Sequence, residues 1–442
     1  MNLRAVLFAG CLGGLGGCDP VEFDPPDTTD RSEVLMIKAV ANPDLDLLFV
    51  IDDSASMADK QAALATAFPA FLAELATIEG GPPNLHIGVI SSDMGTKGSA
   101  VEEPGPPIGP TCSMAGKNGI LQQGTAVLED AYAIVNRDGS KNFTGDVAAT
   151  FGQMASLGTM GCGFEQHLHA MRTSFSQPMN AGFLRPSANL GVIILADEDD
   201  CSIKDPKLYE LDTTQFGPLQ SFRCFEQGVE CSPDNPREIG AKQTCKPRAT
   251  SPYVEDVAPF KDALLAQKGG DARKIMLGMI VAPAAPVAVE INSVEQLAVK
   301  HACTITAPSM IVADPAVRLE ALLTSFPGRT SLATVCASDL TPSATELGKS
   351  IKRLVGDACL ERPLANPAAP DCIVEDVRDS APASGAPTEI ESCATAGEDV
   401  DCYELVPDAA CSKTPHLRLS VARALPPADD TWTRVRCVVP QL

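Results

Sequence analysis

Carboxylates and hydroxyls directly follow one short apolar stretch of this chain. Residues 46–56 read DLLFVIDDSAS, so the apolar run leads straight into Asp52, Ser54 and Ser56. Carboxylate and hydroxyl oxygens are the ligands that Mg²⁺, Mn²⁺ and Ca²⁺ take in proteins, whereas zinc and copper favour nitrogen and sulfur. The same residue types also begin turns and cap helices. The motif alone therefore leaves a metal site and a helix cap as two open interpretations.

Two further stretches supply matching oxygen ligands. The apolar run at 190–196, LGVIILA, leads into Asp197, and Thr159 lies between the two runs in the sequence GTMG. Ligands of an open parallel sheet bind at the carboxyl ends of its strands, where these residues are expected to meet. The sequence predicts a divalent cation site, with Mg²⁺ preferred over Mn²⁺ or Ca²⁺. Its predicted ligands are Asp52, Ser54, Ser56, Thr159 and Asp197.

Strands that could position these residues alternate with helices along the chain. Continuous apolar runs are found at 47–51, 85–91, 190–196 and 274–281, with a further strand predicted at 330–336. Helical patterns separate several of these runs. Strands that are apolar throughout indicate a sheet covered on both faces. We therefore predict an α/β fold with a mainly parallel sheet.

The N-terminus has the features of an export signal. Arg4 precedes a short apolar stretch and small residues that end at Cys18. This pattern predicts a signal peptide over residues 1–17. The sequence Leu15-Gly16-Gly17-Cys18 resembles the bacterial lipobox, which implies that Cys18 is lipidated and anchors the chain in the cell envelope, at the outer membrane or the periplasmic face. The alternative is a soluble secreted protein cut nearby. No later segment is apolar enough to predict a transmembrane helix.

The cysteine count agrees with export. Of 16 cysteines, signal cleavage would remove Cys11 and lipidation would use Cys18, which leaves an even set of 14. In an exported chain this set predicts disulfides, and no Cys-x-x-Cys pair indicates zinc. Cys162 and Cys201 each lie within four residues of a predicted metal ligand. We predict that they are bonded to each other. The alternative is that each pairs within its own insertion.

Changes in composition and residue pattern along the chain divide it into four parts. The signal peptide is followed by an acidic, Pro-containing tether at 18–43, the α/β domain at 44–357, and a Cys-rich β module at 358–442. A Cys-bearing insertion is predicted at 201–252 within the α/β domain. Residues 416–439 alternate like a two-stranded hairpin.

Composition excludes several classes of partner. The net charge of −23 opposes binding to nucleic acid phosphates and to anionic lipid through basic residues. A membrane contact is expected through the lipid anchor alone. A hydrophobic content of 45% with 21% charged residues is typical of a globular chain of 442 residues.

The phrase FVIDDSASM, the Thr loop and the strand ending in Asp197 together resemble the von Willebrand factor A-type (vWA) domain. The resemblance covers roughly residues 44–357 and implies a Rossmann-like, doubly wound sheet. It also implies a metal-ion-dependent adhesion site in which the two serines bind the ion directly, the acidic residues often act through water, and one position stays open for a partner's carboxylate. The phrases GTMGCGFEQHL and ADEDDCS resemble exported A-domain lipoproteins of myxobacteria.

The resemblance implies a binding module that bridges to an acidic group on an envelope or extracellular protein or polysaccharide. We expect no enzyme activity, because the chain lacks a Gly-x-Ser-x-Gly elbow, and His167 and His169 are spaced to point to different sides of a helix. The alternatives are a metal-dependent envelope hydrolase and a scaffold without an ion. Asp53 is expected to be solvated. A solvated loop is also expected for the acidic residues 198–200, and the alternative is that they shape the rim of the metal site or bind a second cation.

Overall fold

A computed structural model describes the chain over most of its length. The described residues are 32–38, 44–78, 82–101, 103–306, 310–327, 329–355, 358–360, 362–378, 387–397, 400–407, 411, 416–424, 427 and 431–440. The predicted signal peptide, the lipidation site Cys18 and most of the predicted tether lie outside them. Within the described ranges, no helix is long and apolar enough to cross a membrane.

Strands and helices alternate through the first three quarters of the chain, and strands alone follow. The strands are β1 (Ser32–Lys38), β2 (Asp44–Ile51), β3 (Asn84–Ser91), β4 (Ala133–Val135), β5 (Asn189–Leu195), β6 (Val229–Ser232), β7 (Gly240–Pro247), β8 (Ile275–Val281), β9 (Val287–Ile291), β10 (Leu297–Val299), β11 (Cys303–Ile305), β12 (Ile311–Ala313), β13 (Thr330–Thr334), β14 (Cys372–Arg378), β15 (Thr388–Ser392), β16 (Cys402–Pro407), β17 (Leu417–Ala422) and β18 (Thr431–Val438). The helices are α1 (Ala58–Leu75), α2 (Val147–Ala155), α3 (His167–Ser174), α4 (Thr213–Phe216), α5 (Phe222–Gly228), α6 (Ala258–Gln267), α7 (Val317–Thr324) and α8 (Thr341–Val355).

The central sheet has the strand order β13-β8-β5-β2-β3-β4. Its neighbouring strands are parallel, except that β4 pairs antiparallel with β3 at one edge. Strand β2 is buried along nearly its whole length and alternates between two cores. Phe49 and Ile51 face the core built with α1, α2 and α8, whereas Leu48 and Val50 face the core built with α3, α6 and α7. The chain is thus a mixed α/β protein, as predicted.

The C-terminal region is rich in strands and disulfides, also as predicted. Its sheet has the order β1-β18-β14-β15-β16-β17. Three disulfides hold it together, and they join Cys359 to Cys411, Cys372 to Cys437, and Cys393 to Cys402. A small separate core of aliphatic side chains lies beneath the sheet, with Val374, Leu419 and Val435 at its centre.

Two predictions for the ends of the chain are wrong. Residues 32–38 belong to the predicted tether, yet they form β1 and pair antiparallel with β18. The predicted hairpin at 416–439 does contain two strands, but β17 pairs with β16, and β18 pairs with β1 and β14. Alternation identifies a strand that has one buried face, but it does not identify the partner, because either edge of a strand can accept any other strand.

The predicted bond between Cys162 and Cys201 is wrong as well. Cys162 is bonded to Cys112, and Cys201 is bonded to Cys224 of α5. All four side chains lie in one buried cluster, so the predicted proximity of the two loops is correct. Cys201 is paired within its own insertion, as the alternative predicted, whereas Cys162 is paired with Cys112, which lies 50 residues earlier in the chain. The remaining disulfides join Cys231 to Cys245 and Cys303 to Cys336.

Peptide mapping under non-reducing conditions tests this pattern. We expect proteolysis of the unreduced protein to yield linked peptides that contain Cys112 with Cys162 and Cys201 with Cys224, because each pair is already bonded in the fold. A linked peptide joining Cys162 to Cys201 would contradict the pairing. A reduced and alkylated sample is the control.

Candidate functional site

The two predicted aspartate ligands lie at the same edge of the central sheet. Strands β2 and β5 are parallel neighbours whose last residues, Ile51 and Leu195, are paired. The backbone N–H of Asp52 continues this pairing and donates to the Leu195 carbonyl at 3.0 Å. Asp52 and Asp197 are both buried, with exposed fractions of 0% and 4%. The parallel register therefore brings the two carboxylate loops together, as the sequence predicted.

Each of these aspartates keeps one oxygen without a partner. Oδ1 of Asp52 accepts a hydrogen bond from the Ser54 backbone N–H at 2.7 Å, while its buried Oδ2 has no hydrogen-bond partner. Oδ1 of Asp197 is also buried and unpartnered. Burial, and then the charge of Asp197, raises the pKa of Asp52 well above its usual value. Unpaired buried carboxylate oxygens are costly, so this pair is the candidate position for a cation.

The two serines lie beside Asp52 on the turn that leads into α1. Their hydroxyls are 3.3 Å apart, and Ser54 is buried while Ser56 is exposed. The turn is closed by a hydrogen bond from the Met57 N–H to the Ser54 carbonyl at 3.2 Å. Two neighbouring hydroxyls thus lie on the turn that follows the buried carboxylate, and one of them belongs to an exposed residue.

Gln61 of α1 joins the loop of Thr159 to the loop of Asp52. Its Nε2 donates to the carbonyls of Asp52 and Gly158, each at 2.9 Å, and its Oε1 accepts from the Gly158 N–H at 3.2 Å. The Gly161 N–H donates to the carbonyl of Asp53 at 2.8 Å. The backbone on either side of Thr159 is therefore held against the first loop, although about 100 residues separate Ser56 from Thr159.

Lys60 is a site residue that the sequence-based prediction missed. Its buried Nζ lies 3.0 Å from Oδ2 of Asp197 and donates to the Ser56 carbonyl at 2.8 Å. The ammonium group compensates one oxygen of Asp197 and leaves Oδ1 free. The signal that could have identified it is its position, since a lysine in the first turn of α1, four residues after Ser56, lies close to the loop that precedes the helix.

Asp53 is buried, so the expectation that it is solvated is wrong. Its carboxylate accepts a hydrogen bond from the Ser91 hydroxyl at 2.7 Å and forms an ion pair with Lys117. Gly161 packs directly on it, because a Cβ at that position would lie 2.2 Å from Oδ1 of Asp53. Asp53 therefore links β2, β3 and the two loops that carry Lys117 and Thr159.

The acidic residues after Asp197 are not a solvated loop either. Asp199 accepts from the backbone N–H groups of Arg318 and Leu319 at 2.9 and 3.1 Å, at the start of α7. Asp200 accepts from the Leu168 N–H at 2.9 Å and forms a buried ion pair with Arg318 at 3.0 Å. Carboxylates at helix N-termini are stabilised by the unpaired N–H groups there. These residues fix α3 and α7 next to the site.

Glu198 and Glu165 form a separate pair beside Asp197. Their carboxyl groups act on each other's pKa, and Oε1 of the buried Glu165 has no hydrogen-bond partner. Burial, then the charges of Asp314 and Asp197, raises the pKa of Glu198 to about 8. Burial, then the charges of Glu198 and Asp52, also raises the pKa of Glu165 well above its usual value.

The two histidines of α3 lie inside the protein. His169 Nδ1 is 2.9 Å from Oε1 of Gln166. His167 is fully buried with both ring nitrogens unpartnered, and burial lowers its pKa to about 4. Among the residues that the structure describes, no three His, Cys, Asp or Glu side chains are arranged to hold a metal ion. The candidate cation site instead combines two carboxylates with hydroxyls.

Comparisons with known proteins place few limits on this site. No protein-family model matches the chain. No curated protein matches it. Similar solved structures include a von Willebrand factor type A protein from Catenulispora acidiphila, with 12% identity and a TM-score of 0.28, over 95% of this chain and 68% of that one. The human COPII-coat protein Sec24c matches with 10% identity and a TM-score of 0.33, over 92% and 46%. The pilus adhesin RrgA from Streptococcus pneumoniae matches with 10% identity and a TM-score of 0.27, over 94% and 60%.

Asp53→Asn tests the structural role of this aspartate. The change leaves Lys117 without its carboxylate, so we expect the free energy of unfolding to fall by about 2 kcal/mol. Urea denaturation measures the change. Asp262→Asn, on the exposed side of α6, is the matched control and should unfold like the wild type. Equal stability of the two variants would show that Asp53 does not hold the loops together.

Proposed function

We propose that this chain is a vWA-type interaction module of the bacterial cell envelope, anchored through lipid on Cys18, which binds a divalent cation and through it an acidic group of a partner. The observation that carries the proposal is the pair of buried, unpartnered oxygens on Asp52 and Asp197. They come from adjacent parallel strands and face the same edge of the sheet. The strand order and the helices on both faces agree with a doubly wound vWA fold.

The chemistry of the donor set suits a hard cation. Asp52, Asp197, Ser54, Ser56 and Thr159 offer only oxygen atoms, which favours Mg²⁺, with Mn²⁺ and Ca²⁺ as alternatives. When bound, the ion would supply positive charge and a coordination position for a carboxylate of a partner protein or polysaccharide. The chain's own residues orient this site, because Gln61 fixes the loop of Thr159 and Asp53 fixes the loop of Asp52.

Lys60 supports a second candidate function. Its ammonium group already compensates the negative charge of Asp197 at Oδ2, and a bound metal ion would also compensate this charge. In this alternative, the chain is an envelope scaffold whose ancestral ion has been replaced by an internal cation. A metal-dependent hydrolase has less support, since both histidines of α3 are buried, with exposed fractions of 0% and 7%. The two leading candidates differ in whether the wild type takes up a divalent ion.

Asp52→Asn tests the main proposal. We expect the wild type to bind Mg²⁺ or Mn²⁺ in calorimetry and to capture envelope components in Mg²⁺ but not in EDTA, because Asp52 supplies a buried oxygen. Asp52→Asn and Ser54→Ala should lose both properties, while Asp262→Asn keeps them. Capture of the same components by every variant, with and without EDTA, would contradict binding through a metal.

Lys60→Met tests whether the lysine competes with the ion. Removing a positive charge 3.0 Å from Asp197 should raise the affinity for Mg²⁺ or Mn²⁺ at least about tenfold, since like charges this close repel strongly in a buried site. Calorimetry of the variant beside Lys349→Met, a half-buried lysine of α8, measures the effect. Ion binding by Lys60→Met alone would favour the scaffold for the wild type. Unchanged or weaker binding would mean that Lys60 helps to hold the site.

A further inference from the structure

A cavity of about 320 Å³ lies beside the candidate cation site. Its floor is formed by Glu165 and Glu198, and its walls come from the insertion, from β10 and from the start of α7. The insertion is fastened over it, because Nε2 of Gln220 donates to the Leu297 carbonyl at 2.7 Å. Exposed side chains of Glu290 and His301 form its rim. Nothing in the proposed function uses this space.

The acidic floor of the cavity has no basic partner among the described residues. Glu165 is 1% exposed, and its Oε1 makes no hydrogen bond. The nearest buried cation on the wall, Arg318, is directed to Asp200 at 3.0 Å. His301 is bound to Asp314 at 2.7 Å. Glu165, a residue of the cavity lining, therefore keeps unused capacity to accept a hydrogen bond at Oε1.

Part of the cavity lining is apolar. Phe222, Phe225, Leu297 and Val299 contribute to it, and the two phenylalanine rings are 5.8 Å apart. Hydrocarbon and aromatic surface of this kind accommodates the stem of a long side chain, and aromatic faces also attract a cationic head. A cavity that is acidic at its floor and apolar on its wall matches a molecule that is cationic at one end.

A bare metal ion fits this cavity poorly. In the described part of the chain, no three acidic, His or Cys side chains approach closely enough to ligate one. A volume of about 320 Å³ also exceeds that of a single ion and resembles the small end of the range for organic ligands. The space and its charges therefore favour an organic cation.

We propose that this cavity binds a primary ammonium group on an aliphatic stem, and that its source is a lysine side chain of a partner protein. The ammonium group would be bound by Glu165 and Glu198, and the stem would lie against Phe222 and Leu297. The site is complete without the divalent ion, so it goes beyond the metal-bridged contact and does not depend on it. A partner would then be recognised by a basic residue as well as by an acidic one.

Calorimetry in EDTA tests the proposal in the absence of any divalent ion. The probe is Nα-acetyl-lysine methylamide, and Nα-acetyl-norleucine methylamide has the same stem without the ammonium group. We expect saturable binding of the lysine probe, at least tenfold tighter than that of the norleucine probe. Glu165→Gln and Glu198→Gln should each weaken it at least tenfold, whereas Glu346→Gln, on the exposed face of α8, should not.

The variants remain informative because a Glu-to-Gln change at a buried acid keeps the shape of the side chain and removes its ability to ionise beside an ammonium group. We expect thermal unfolding of Glu165→Gln to occur at or above the wild-type temperature while lysine binding falls. Equal binding of the two probes would show that the cavity recognises only the apolar stem and would overturn the proposal. Absence of binding by both probes would also overturn it. Binding of spermidine at least tenfold tighter than the lysine probe would overturn the assignment to a protein partner.

Discussion

The burial of carboxylates at one edge of the central sheet is the constraint on which the surrounding structure depends. An ionised group taken out of water must be compensated by charge or by hydrogen bonds. Lys117 compensates Asp53, Arg318 compensates Asp200, and the first turn of α7 compensates Asp199. Each of these contacts joins distant parts of the chain. The loops at this edge are therefore ordered by the acids that they surround.

Compensation is incomplete at two places, and these are the places where function is proposed. Asp52 and Asp197 each retain an unpartnered oxygen, and so does Glu165. Because Asp53, Asp199 and Asp200 nearby are compensated, such gaps are informative, since an unsatisfied buried group requires an explanation. The disulfide between Cys201 and Cys224 ties the insertion to the same acidic stretch, so the wall of the cavity and its floor are held as one unit.

The sequence predicted the features that depend on local pattern. Apolar runs identified β2, β5 and β8, and the residues that follow Ile51 and Leu195 meet as parallel pairing requires. Features that depend on contacts between distant segments were missed. No sequence pattern near Asp53 predicts its contact with Lys117, which is 64 residues away. The cysteine pairing failed for the same reason, because four cysteines reach one cluster and proximity alone does not select partners.

The pairing of β1 with β18 has a consequence for connectivity. Ser32 stands opposite Val438 across an antiparallel pair, so the first and last strands of the described chain begin and end as neighbours, about 5 Å apart. The two ends of the described chain therefore lie close together, so that joining them would give a closed ring. A short linker could join these two points, and the ring could be opened at the exposed turn around Gly139 without cutting a strand of either six-stranded sheet. The position of the chain ends, and not the set of helices and strands, would then decide the order of the elements in the sequence.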